Sequence, residues 1–230
     1  MHTVSTTSAF LNNGFVLTRS SQVAFTSSTT SINSYGYSPF PLTSYLSWVR
    51  ACILDSPESS KPIIISITSS IPAELSIMLD QIQYLRAELK DTDPNAAYVR
   101  VGVELNTSCP NIPDTPPPAY DLAGLKPLLD VLASHWGNDN TFVLGLKLAP
   151  FVYRLQQTQL VDLIASYSTP EGKNPFAFFT CTNTLGNCVM YKEGGRDALT
   201  LPGKFGGLGG ASIHCLALGC VGVLRPRACC

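Results

Sequence analysis

The sequence predicts an α/β protein built on a parallel sheet, and three observations predict it. Short apolar, β-branched runs alternate with amphipathic stretches along the chain. The alternation recurs at roughly 35–40 residues, the spacing of right-handed βαβ units. Polar side chains collect just after the apolar runs, where barrels and open doubly wound sheets both gather their chemistry. Periodicity alone leaves those two architectures open.

Taken in order, residues 1–30 are polar and aperiodic and read as an irregular or extended N-terminal segment, with no convincing strand before Ser31. Ser31–Phe40 (SINSYGYSPF) reads as a loop. Residues 43–54 predict a helix, with Tyr45, Leu46, Val49 and Ile53 on one face. Residues 62–67 (PIIISI) predict a strand buried on both faces. Residues 72–90 predict a helix with Pro72 in its first turn and Leu75, Met78, Leu79, Ile82 and Leu85 inward. Strands then follow at 98–105, 141–148 and 176–182, separated by helices at 121–136 and 155–167. Phe205–Gly210 (FGGLGG) reads as a glycine-rich turn, since it matches neither the dinucleotide fingerprint nor the P-loop.

Composition narrows the function. The 230 residues suit one domain with a real core. Lys plus Arg total 15 against 16 Asp plus Glu, so no basic excess exists to neutralise phosphates and nucleic acid is an unexpected partner. No apolar run reaches membrane-spanning length, and no secretory signal is visible. The first thirty residues are rich in Ser and Thr and free of acids, but one arginine, Arg19, makes a weak mitochondrial leader. The eight cysteines read as free thiols. No C-x-x-C pair occurs and His2, His135 and His214 are scattered, so no metal site is expected. The closing Cys229-Cys230 reads as a chance pair.

The strand ends carry the candidate chemistry. Glu104–Asn111 (ELNTSCPN) closes one strand, Lys147 ends the next, and Cys181-Thr182-Asn183-Thr184 follows the last. Amides, an ammonium and a thiol suit a neutral, hydrogen-bonding ligand with an anionic group rather than a divalent cation. Each element also has a plainer reading: an Asn after a strand is usually a turn residue, Lys147 could be salt-bridged, and a lone Cys109 is more often inert. Their shared placement at successive strand ends is what favours a site.

ELNTSCPN, SINSYG at 31–36, Thr182-Asn183-Thr184 and FGGLGG resemble the class 1 dihydroorotate dehydrogenases, closest to the fumarate-using branch. The resemblance covers roughly residues 30–215. It implies a partial (β/α)8 TIM barrel over 31–215, with the first two and last two strands missing or altered and an atypical tail at 216–230. It implies FMN as cofactor, oxidation of dihydroorotate to orotate in pyrimidine synthesis, fumarate as electron acceptor, and a cytoplasmic homodimer. By the same resemblance Cys109 is the catalytic base. Asn33, Gly36, Asn106, Asn111, Asn183 and Thr184 contact the substrate, and Asn106, Lys147, Gly206 and Gly207 contact the flavin. The family's lysine after its second strand has no counterpart, because no lysine precedes Lys61. Tyr35, Tyr37 and Pro39 also depart from the usual substrate loop. Gly219–Val223 superficially echoes the family's phosphate-binding strand. Two alternatives follow from these departures: a non-catalytic relative that pairs with another barrel, or a flavin oxidoreductase acting on a different substrate.

Overall fold

A computed structural model describes residues 2–5, 22–25, 29–108, 117–192, 199–202 and 204–224. Its centre is a five-stranded parallel sheet of β1 (His2–Ser5), β4 (Ile63–Ile67), β5 (Val101–Asn106), β6 (Val143–Lys147) and β7 (Phe176–Thr180), in that spatial order. Helices α1 (Leu42–Leu54), α2 (Pro72–Glu88), α3 (Leu122–Asn138) and α4 (Arg154–Ala165) fall between its strands. A second sheet is antiparallel and runs β2 (Val23–Phe25), β3 (Thr30–Asn33), β9 (Gly206–Gly210), β8 (Leu185–Cys188). Helix α5 (His214–Leu224) follows β9.

Local sequence explains these elements. All five residues of β4 are buried, as its unbroken apolar run requires. Pro72 starts α2, where its missing N–H costs nothing. The Asp121 carboxylate caps α3 by accepting from the Ala123 N–H at 3.1 Å. Ile63, Ile65, Ile67, Val101, Val103, Leu105, Leu144 and Leu146 pack with the helices' inward leucines in one core. Strand alternation sends Ser66, Glu104, Asn106, Gly145 and Lys147 to the opposite face. At the far end of the sheet, Arg86 is fully buried and binds Asp91, Asp139, Gln83 and Thr141 while lying over the Phe142 ring.

Several expectations are corrected. Residues 2–5 are not irregular: they pair in parallel with β4, His2 opposite Ile63, so a strand does precede Ser31. Val23–Phe25 is likewise a strand. The stretch read as a loop from Ser31 enters β3, because its partner β9 supplies a ladder that no local pattern announces. The FGGLGG segment is that partner strand rather than a turn. Its glycines are needed by close sheet packing: a Cβ on Gly206 would lie 2.6 Å from the Asn33 carbonyl oxygen. The first nine residues of the supposed tail, and the Gly219–Val223 echo within them, belong to α5.

Candidate functional site

The carboxyl ends of β5, β6 and β7 converge on one polar cluster. Its centre is Asn183, which is 6% exposed. Its main-chain N–H donates to the Leu148 carbonyl at 2.8 Å, tying the segment after β7 to the end of β6. Its side-chain amide donates to Asn106 Oδ1 at 2.9 Å and to the Ser108 carbonyl. Asn106 Oδ1 also accepts from the Ser108 N–H at 3.2 Å. Asn106 at the end of β5 and Asn183 in the segment after β7 therefore hold Ser108, the residue before Cys109. Thr68 Oγ1 donates to the Asn106 carbonyl at 2.9 Å and adds β4 to the network.

Thr107 secures that segment from below. Its hydroxyl donates to the Lys147 carbonyl at 2.7 Å, and its own carbonyl accepts from Ala119 at 3.0 Å. Residues 107 and 119 are thus drawn together, and Thr107 anchors both to the end of β6. Lys147 itself stands opposite Asn106 on β5 and Thr180 on β7. Among the described residues its ammonium has no hydrogen-bond or ion-pair partner, so the salt-bridged reading of this lysine does not hold. Two further groups lack partners although buried: Ser108 Oγ and Thr182 Oγ1. Unpaired buried hydroxyls are costly, and here they border the asparagine cluster.

The second sheet brings up a neighbouring set. Asn33 stands opposite Gly207, and its side chain donates to the Gly207 carbonyl at 3.5 Å. The Tyr35 N–H donates back to Asn33 Oδ1 at 3.3 Å. Gly36 lies three residues beyond Asn33, just past the end of β3. The Thr184 N–H donates to Asn183 Oδ1 at 2.9 Å, and the Thr184 side chain approaches Gly209. The Asn183-Thr184 step therefore joins the two sets. Cys109 and Asn111 lie outside the described residues.

Cys181 is the thiol visible beside Asn183. Burial, with a contribution from nearby Cys220, pushes it up to about 11, which leaves it protonated and a poor base. Sequence reasoning passed over Thr107, Ser108 and Glu104 as individuals. Their signal lay inside ELNTSCPN, but the partners that give them meaning come from other strands.

Fold and site together describe an α/β protein with a carboxamide-rich site at the carboxyl ends of parallel strands. The chain belongs to the dihydroorotate dehydrogenase family, whose model matches residues 19–228. It is 29% identical over 199 residues to a protein of Streptococcus agalactiae serotype Ia that carries the provisional name dihydroorotate dehydrogenase A (fumarate). A Streptococcus pyogenes serotype M1 protein with the same provisional name is 30% identical over 198 residues. Each match covers 86% of this chain, which spans about 55% of the length of those relatives.

Proposed function

We propose that this chain carries the substrate- and flavin-contacting portion of an FMN-dependent dihydroorotate dehydrogenase, folded as part of a β/α barrel. The observation that carries the proposal is the Asn106–Ser108–Asn183 cluster beside an unpaired Lys147, in a chain of this family. These residues fit a flavin. A ring with amide-like edges can satisfy carboxamides and the buried Ser108 and Thr182 hydroxyls, which lack partners among the described residues, and Lys147 supplies a positive charge in direct contact with no described carboxylate. Asn106, Lys147 and the backbone of Gly206 and Gly207 would hold it.

When bound, FMN supplies the hydride acceptor that the oxidation requires. The protein's own contribution is a proton transfer and its organisation. Cys109 Sγ takes the proton from the substrate carbon beside the ring carbonyl, a task that suits a thiolate. Asn33, Gly36, Asn106, Asn111, Asn183 and Thr184 orient the ring and its carboxylate, since carboxamides both donate and accept as a cyclic ureide demands. The bonds that fix Ser108 hold the residue before the base in place. Lys147 stabilises negative charge accumulating on the ring system. Fumarate is the proposed electron acceptor, and a cytoplasmic homodimer the proposed form. No helix among the described residues is long and apolar enough to cross a membrane.

The test is anaerobic reduction. Full-chain protein desalted after incubation with FMN should keep flavin absorbance, and dihydroorotate should bleach it. Cys109→Ala should keep the flavin and lose at least about a hundredfold in the bleaching rate, the scale of a lost general base. Failure to retain flavin, or unchanged bleaching in that variant, overturns the proposal.

A further inference from the structure

Glu104 is a carboxylate with no part in the chemistry just described. It is 3% exposed, in the middle of β5. Ser66 on β4 donates to its Oε1 at 3.0 Å, and Thr180 on β7 donates to its Oε2. Its neighbour on β6 is Gly145, whose missing Cβ leaves that space to the Phe178 ring of β7. Glu104 therefore reaches across a whole strand to Thr180, and Thr180 stands opposite Lys147. Burying a carboxylate is unfavourable unless it is hydrogen-bonded, and both of its oxygens accept hydroxyl hydrogen bonds here.

We propose that Glu104 is a positioning residue for the site's charge: a buried anion one register step below Lys147 that offsets the ammonium and sets how strongly the site favours a reduced, anionic ring. The inference rests on the flavin reading above. Two residues along a strand span about 6.6 Å, within reach of Coulomb interaction in a poorly solvated interior. Glu104 and Lys147 are the charged residues of β4, β5, β6 and β7. The other groups on this face of those strands are uncharged, among them Ile64, Ser66, Asn106, Val143, Phe178 and Thr180. Lys147 is thus the charge that Glu104 answers. A negative charge there weakens binding of reduced relative to oxidised flavin, and so lowers the midpoint potential.

The test is the midpoint potential of the FMN-loaded full chain, measured by anaerobic dye titration. Glu104→Gln keeps the shape and one oxygen acceptor but removes the charge. Its potential should move to a more positive value, with reduced FMN bound relatively tighter than in the unmodified chain. A Glu104→Gln protein with an unmoved potential, or a negative shift, overturns the inference while leaving the flavin reading intact. Unmodified protein that takes up no flavin overturns both. Should Glu104→Gln not fold, Glu104→Met is the second variant: it also removes the charge, so its potential should move the same way, and an unmoved potential there overturns the inference.

Discussion

Asn183 illustrates how one side chain organises a site. Its amide bridges Asn106 and the Ser108 carbonyl, its oxygen meets the Thr184 N–H, and its own N–H reaches Leu148. Asn183→Ala leaves buried acceptors unpaired and should cost about 1–3 kcal/mol, read as a lower denaturation midpoint in urea. Asn183→Asp should not rescue it, because a carboxylate cannot donate to Asn106 or to the Ser108 carbonyl. Cys181 gives a second prediction at this scale. Its thiol is pushed up to about 11 by burial and then by Cys220. Brief iodoacetamide treatment at neutral pH should label it on the order of tenfold or more slower than the exposed Cys215, read by peptide mass spectrometry. At the level of single residues, Asn106, Lys147 and Asn183 were legible because each follows or ends a recognisable strand. The partnerships that tie Thr107, Ser108 and Glu104 to other strands and segments were not, since those bonds cross 38 to 76 positions of sequence.

Elements are held together by two kinds of joint. At the amino-terminal end of the sheet, Arg86 of α2 binds Asp139 at 2.7 Å and Asp91 at 3.4 Å, and donates to the Thr141 hydroxyl at 2.9 Å. Arg86→Met would leave two carboxylates without their cation and should cost about 3–5 kcal/mol in urea unfolding. Arg86→Lys should recover little, because a single ammonium cannot make the forked contacts. At the other joint, β9 lies against β3 so closely that Gly206 has no room for a Cβ beside the Asn33 carbonyl. Gly206→Ala should therefore cost about 1–3 kcal/mol through strain, seen as a lower melting temperature, and should loosen Asn33. The four later parallel strands were legible because each is written as a short apolar run, buried on both faces in β4 and β5. Strands β3 and β9 were not: SINSYG and GGLGG carry turn-like residues, and their strand character comes from pairing with each other.

Across the molecule, acid should loosen the structure in a stated window. Burial alone would raise Asp139, yet hydrogen bonds from Thr141 and Gln83 and the Arg86 charge outweigh it and hold the carboxyl below its ordinary 3.8. Hydrogen bonds from Lys126 and Tyr167 do the same for Asp130. Groups depressed on folding contribute stability that is complete above the unfolded value and is lost as pH falls through the folded one. The urea midpoint should therefore decline below about pH 4, and Asp139→Asn should flatten part of that decline. Periodicity, β-branched runs and one specific string were enough to determine the alternation of strands and helices and the family, because these are written in local pattern and in right-handed crossovers. Tertiary structure alone decided that residues 2–5 join the parallel sheet, that two polar, glycine-rich segments pair as strands, and that a buried Glu104 spans from β4 to β7. Those features arise from contacts between distant parts of the chain, and no local period records which distant partner a short, polar segment will find.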